Sequence, residues 1–162
     1  MKRWMTITIA SLLLITMLPL TAFASAEMNE ISETADEVMI QEILYEDGSS
    51  LEIITSWKLT DQDRGTKTGT KVYNKRDASG ALEWKATLTA SFTYNGTSAT
   101  CTSASCSVSI YNSSWYTISY SAVRSGNTAT AYLKMGYSAL GSTPITYSYT
   151  ITLSCDANGN LS

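Results

Sequence analysis

A strict alternation of apolar and polar side chains between residues 82 and 94 constrains the fold of this chain more than any other feature. The apolar members are Leu82, Trp84, Ala86, Leu88, Ala90, Phe92 and Tyr94. A helix repeats its faces about every 3.6 residues and a strand every two, so this segment is predicted to be a strand with one buried face. It ends at Asn95-Gly96, a dipeptide that favours the tight turn of a hairpin.

The same period recurs along the chain and predicts about seven or eight short strands. The other predicted strands cover residues 39–46, 51–59, 71–74, 104–111, 115–123, 128–138 and 145–155. A polar loop at 61–71 leads into the strand at 71–74, which is expected at a sheet edge. Turns are predicted at Asp47-Gly48-Ser49-Ser50 and at Asp77-Ala78-Ser79-Gly80. Short strands separated by regular turns predict an all-β fold, an antiparallel immunoglobulin-like β-sandwich. A closed barrel is the alternative, because alternation alone does not decide how a sheet closes.

The first 26 residues have the order of a secretory signal peptide. Two basic residues precede an apolar stretch that runs to Leu20, and small residues follow, ending in Ala24-x-Ala26. This order predicts cleavage after Ala26 and a mature chain that begins at Glu27. A retained anchor is the alternative, but the apolar run is shorter than the roughly 20 residues that a spanning helix needs. We therefore expect a secreted protein, extracellular or associated with the cell wall, with no membrane contact after cleavage.

Length and charge limit the domain organisation and the partners of the mature chain. We expect a signal peptide at 1–26, an acidic N-terminal arm at 27–38 and a single β-sandwich domain at 39–162. After cleavage, nine basic residues stand against 14 acidic ones, a net charge of −5 that disfavours nucleic-acid binding. Residues 27–57 hold nine carboxylates and no basic residue, so this acidic segment either packs along a mildly basic body or steers a charged partner.

Three cysteines lie in this exported chain, where thiols are expected to oxidise. Cys155 closes the alternation of the last predicted strand and Cys106 opens another, so both are expected on apolar faces. Cys101 lies in a Ser/Thr-rich stretch that suits a bridge at the margin of a sheet. We predict a Cys101–Cys155 disulfide with Cys106 as a buried free thiol, and a Cys106–Cys155 bridge is the alternative.

The absence of histidine excludes most nucleophilic and zinc chemistry. The chain has no histidine, which removes Ser-His and Cys-His catalysis and the commonest zinc ligand sets. No cofactor, metal ligand or catalytic residue is predicted. A glycosidase-type carboxylate pair survives this exclusion, since Asp61, Asp63, Asp77 and Glu83 could converge. For Glu83 we expect a solvated charge on the polar face of its strand.

Aromatic residues provide the remaining candidate site. Trp57 and Trp84 share faces with aliphatic residues and are expected in the core, whereas Trp115 follows a turn, with Tyr116 and Tyr120 on the opposite side of the strand. Exposed Trp and Tyr rings serve as stacking platforms in sugar-binding sandwiches. Trp115, Tyr116 and Tyr120 are therefore the candidate binding residues, with ordinary packing as the alternative.

The C-terminal part of the chain resembles uncharacterised small secreted β-rich proteins of Gram-positive, clostridia-like bacteria. The resemblance covers roughly residues 66–162 and is carried by Phe92-Thr93-Tyr94-Asn95-Gly96, Cys101, Ser114-Trp115, Ser125-Gly126-Asn127-Thr128-Ala129 and Ile151-Thr152-Leu153-Ser154-Cys155. It implies a secreted bacterial protein and a Cys101–Cys155 pairing. It brings no active-site residue.

These features favour a secreted, non-catalytic binding or surface-interaction module whose partner is a glycan or a cell-surface protein. The alternatives are a carboxylate-dependent enzyme acting on polysaccharide and a structural envelope protein. A pair of carboxyl groups in an aromatic-lined cleft would favour the enzyme, and scattered carboxylates would favour the binding module.

Overall fold

The structure, a computed structural model, describes residues 37–57, 65–139 and 143–162, and these residues form eight antiparallel strands in two sheets. The strands are β1 (Glu37–Leu44), β2 (Ser50–Trp57), β3 (Gly65–Arg76), β4 (Leu82–Tyr94), β5 (Ala99–Ile110), β6 (Trp115–Ser125), β7 (Thr128–Tyr137) and β8 (Ile145–Ser154). The predicted all-β antiparallel sandwich is confirmed. The signal peptide and most of the acidic arm lie outside the described residues. Within the described residues no helix is long and apolar enough to cross a bilayer.

Both sheets are meanders of consecutive hairpins. The five-stranded sheet has the order β1-β2-β3-β4-β5, and the three-stranded sheet has the order β6-β7-β8. The chain passes from one sheet to the other between β5 and β6. Immunoglobulin domains join their strands by Greek-key connections, so the likeness lies in the two antiparallel sheets and not in the strand order.

The core lies between the two sheets and follows the alternation that predicted β4. Five side chains on the inner face of β4 are completely buried: Trp84, Ala86, Leu88, Ala90 and Phe92. The opposite wall comes from β7 and β8, with Ala129, Ala131, Met135, Ile151 and Leu153 also completely buried. The apolar inner faces of β4, β7 and β8 therefore form most of the core of the sandwich.

Strand β3 corrects the expectation of a polar loop followed by an edge strand. It runs from Gly65 and pairs with both β2 and β4, so it is the central strand of its sheet. Its lysines reach across to the backbone of the other sheet and the C-terminal tail: Lys71 Nζ donates to Thr152 O at 3.0 Å and Lys67 Nζ to Gly159 O at 2.7 Å. Inward-pointing ammonium groups thus connect β3 to the other sheet and to the C-terminal tail.

The predicted Cys101–Cys155 disulfide is absent, and all three cysteines are free thiols. Each of the two buried thiols turns to a backbone carbonyl instead, Cys101 Sγ to Ser103 O at 3.2 Å and Cys155 Sγ to Asp156 O at 3.4 Å. Cys106 is only half-buried. Burial raises the pKa of all three thiols above the ordinary cysteine value, which disfavours the reactive thiolate.

Candidate functional site

A pocket of about 560 Å³ opens at one end of the sandwich, and we call it the end pocket. The turns β1–β2 and β3–β4 meet there because alternate turns of a meander lie at the same end. The start of β6, the end of β7 and the start of β8 complete it. Its lining residues are Tyr45, Asp47, Ser49, Lys75, Asp77, Ala78, Glu83, Trp115, Tyr137, Tyr147, Ser148 and Tyr149.

The two hairpin turns at the rim are built in the same way. Asp47 Oδ1 accepts hydrogen bonds from Ser49 N at 2.9 Å and Ser49 Oγ at 2.6 Å. Asp77 Oδ1 accepts from Ser79 N at 2.8 Å and from Ser79 Oγ at 2.6 Å, and also from a further backbone N–H at 2.9 Å. Aspartate side chains stabilise turns by such bonds to the backbone that follows them.

Close contact between the turns fixes their spacing. Gly48 has a φ of 79°, in the left-handed region that favours glycine, and a Cβ added there would lie 3.3 Å from Ala78 Cβ. The second turn has Gly80 at a φ of 85°. The two carboxylates are therefore carried by two rigid, neighbouring turns.

Both turn carboxylates are held in the ionised form. Hydrogen bonds from the Ser49 side chain, followed by those from its backbone, lower the pKa of Asp47. The pKa of Asp77 is lowered chiefly by the Ser79 hydroxyl and the Ala81 N–H. Hydrogen bonds to the charged form favour it, so both groups are anionic at neutral pH.

A buried ion pair lies below these turns. Lys75 Nζ is 3.7 Å from Glu83 Oε2, with both side chains about nine-tenths buried, and 5.1 Å from the centroid of the Tyr45 ring. Glu83 is the additional residue of a β-bulge between β3 and β4, since Lys75 pairs with Trp84 and Arg76 with Leu82. The expectation that Glu83 is solvated is therefore wrong, because the bulge turns its side chain into the domain.

Aromatic rings form the inner wall. The Trp115 ring lies 5.0 Å from the Tyr137 ring and 5.3 Å from the Tyr147 ring, and Tyr149 lies 4.9 Å from Trp84. Such separations are typical of favourable aromatic pairs. Burial raises the pKa of Tyr149, which keeps its phenol protonated. Tyr147 is 39% exposed and Tyr45 40%, against 6% for Trp115, so these two tyrosines offer open ring surface.

Of the three predicted binding residues, only Trp115 lines the end pocket. Tyr116 pairs with Gly136, where a Cβ would meet its ring, and is 42% exposed. Tyr120 pairs with Leu133 and is 50% exposed. A bulge between Thr117 and Ser119 shifts the register, so Tyr116 and Tyr120 lie on opposite faces of the sheet and do not form one platform.

Sequence reasoning found the turns but not the pocket. Asp47-Gly48-Ser49-Ser50 and Asp77-Ala78-Ser79-Gly80 were both recognisable as turns. Their similar Asp-x-Ser pattern, two hairpins apart, was the available signal that two carboxylates would meet at one end. The contributions of Tyr45, Lys75 and Tyr147 depended on how the sheets pack, which no local pattern reveals.

The end pocket brings together three carboxylates, Asp47, Asp77 and Glu83. Asp61 and Asp63, the other carboxylates considered for a catalytic pair, lie outside the described residues. Within the described part of the chain no group of three metal-ligating side chains could hold a metal ion. The lining is thus suited to contacts with rings, hydroxyl groups and cations.

Comparison of the chain with protein-family models, curated proteins and solved structures finds no match, so its function is inferred from the end pocket itself.

Proposed function

We propose that this chain is a secreted, non-catalytic binding module that holds a saccharide in the end pocket. One observation carries the proposal: open rings of Tyr45 and Tyr147 line the same pocket as the ionised carboxylates of Asp47 and Asp77. Aromatic faces pack against the C–H faces of sugar rings, and carboxylate oxygens accept hydrogen bonds from sugar hydroxyls.

The construction of the pocket supports binding of a small ligand. Its volume of about 560 Å³ is in the range of small-molecule sites. Strand ends and two hydrogen-bonded turns hold the lining, so little conformational entropy is lost when a ligand binds. Loops at one end of a sandwich are a common place for recognition.

The second candidate is a glycosidase, favoured by the three carboxylates in one aromatic pocket. Such enzymes need one carboxyl group that stays protonated to act as an acid. Here the pKa values of Asp47 and Asp77 are lowered, and Glu83 is paired with Lys75. The ionised state of Asp47 and Asp77 favours binding without cleavage.

Cleavage is tested directly by incubating the exported protein with oligosaccharides and measuring new reducing ends. We expect none. If the natural protein hydrolysed an oligosaccharide and the Glu83→Gln variant did not, the chain would be a glycosidase and not a binding module.

Binding is tested on a glycan array with protein collected from the culture medium, whose mature chain should begin at Glu27. For a bound glycan, Tyr147→Ala should weaken binding at least about tenfold, since it removes an open ring of the pocket. Tyr132→Ala is the matched control, because Tyr132 lies on β7 of the same sheet, outside the pocket lining, and is 52% exposed.

Equal effects of the two tyrosine variants would contradict the assignment of the site. Tyr116→Ala and Tyr120→Ala test the other two predicted residues. If either of these variants abolished binding while Tyr147→Ala did not, the site would lie along β6 instead.

A further inference from the structure

We infer, resting on the saccharide-binding function proposed above, that the sugar held by the end pocket carries a free, positively charged amino group. The charged lining residues are Asp47, Asp77, Glu83 and Lys75. Glu83 and Lys75 compensate each other at 3.7 Å. With three carboxylates and one ammonium group, the lining carries two excess negative charges.

The side-chain hydrogen bonds that Asp47 and Asp77 accept within their turns end on Oδ1 of each residue. We assign the other oxygen, Oδ2, to a donor of the ligand. An ammonium group brings three donors and the compensating charge, whereas a neutral hydroxyl brings one donor and no charge.

The surroundings of Lys75 show how the pocket lining stabilises an ammonium group. Its ammonium group lies over the Tyr45 ring at 5.1 Å and beside the Glu83 carboxylate at 3.7 Å. A cation over an aromatic face and near a carboxylate is stabilised by both. The lining contains the same two kinds of group, an aromatic ring at Tyr147 and the carboxylates of Asp47 and Asp77. These carboxylates would repel an anionic sugar.

The test compares three β-1,4-linked tetrasaccharides of equal length that differ at one position of each ring. Glucosamine carries an ammonium group there, N-acetylglucosamine an acetamide and glucose a hydroxyl. By calorimetry at low salt, we expect the glucosamine tetramer to bind at least about tenfold more tightly than the other two. The preference should shrink as ionic strength rises, because salt screens exposed charges.

The variants Asp47→Asn and Asp77→Asn test whether these two carboxylates cause the preference for the glucosamine tetramer. Asparagine keeps the Oδ1 acceptor that holds each turn and removes only the charge, so the fold should be retained and the preference should fall severalfold. Asp156→Asn is the control for charge removal in a turn outside the pocket lining. Asp156 Oδ1 accepts from Asn158 N at 2.8 Å and from Asn160 N at 2.9 Å, and its Oδ2 accepts from Asn160 Nδ2 at 2.7 Å, a bond that the variant loses. Melting temperatures at neutral pH that fall no further in the pocket variants than in Asp156→Asn verify that the turns persist.

The outcomes separate the two proposals. Loss of the preference in the pocket variants but not in Asp156→Asn supports the inference. Equal binding of all three tetramers, or a preference that survives both pocket variants, overturns the charge assignment and leaves saccharide binding intact. Binding of none of the three overturns the inference, and the glycan array then decides whether a saccharide function stands.

Discussion

At Gly69 the backbone of β3 meets the C-terminal tail. Leu161 is 5% exposed, and a Cβ added to Gly69 would overlap its Cδ1. Leu153 Cδ2 is 3.4 Å from the same point. The absence of a side chain at this position therefore allows the tail to close over the middle of the five-stranded sheet.

Gly69→Ala should destabilise the domain, since the new methyl group displaces Leu161 from a filled core. Overpacking of this kind costs about 1–3 kcal/mol, and we expect the thermal midpoint to fall by several degrees. Gly65→Ala is the matched control on the same strand, because no described atom lies within 4 Å of the added Cβ. Equal midpoints for the two variants would show that Leu161 does not fill this site in solution.

At the scale of elements, three turns carry an aspartate whose ionised form is stabilised by the turn. The pKa of Asp156, like those of Asp47 and Asp77, is lowered, chiefly by the Asn160 side chain. A carboxyl group with a lowered folded-state pKa adds stability above its unfolded pKa of about 4. That contribution is lost as pH falls through the folded-state value.

The thermal midpoint should accordingly stay level from neutral pH to about pH 5 and then fall towards about pH 2. In the combined variant Asp47→Asn, Asp77→Asn, Asp156→Asn the turns keep their Oδ1 acceptors but no longer titrate. The thermal midpoint of this variant should fall less with acid than that of the natural chain, and melting curves across this pH range measure the difference. Identical falls would mean that the turns do not hold these carboxylates as described.

The elements differ in how far the sequence could predict them. The inner face of β4 could be predicted from the sequence alone, because apolar residues alternate with polar ones from Trp84 to Phe92 without interruption. Strand β3 could not, since its inward residues include Lys67, Gly69 and Lys71, which match no apolar pattern. The bulges at Glu83 and near Ile118 depend on pairing with a neighbouring strand, so period-two reasoning placed Glu83 on the wrong face and Tyr116 and Tyr120 on the same one.

At the scale of the molecule, the end pocket exists only because two sheets meet at one end. Each turn was predictable by itself from its Asp-x-Ser residues. The turns come together with Trp115 and the tyrosines of β7 and β8 only when the two sheets pack on each other. That packing depends on contacts between residues far apart in the sequence, which no local pattern reveals. The candidate residues Trp115, Tyr116 and Tyr120 accordingly included one residue of the pocket and two outside its lining.

Chemical-shift mapping of the isotope-labelled protein tests most directly whether the end pocket binds a saccharide. The glucosamine, N-acetylglucosamine and glucose tetramers would be titrated in turn. We expect at least one of them to shift amide signals at 45–49, 77–78 and 147–149 while those of the opposite end, at Asn95 and Gly96, stay in place. Shifts confined to other surfaces would contradict saccharide binding in the end pocket, as would the absence of shifts with all three tetramers together with the absence of any bound glycan on the array.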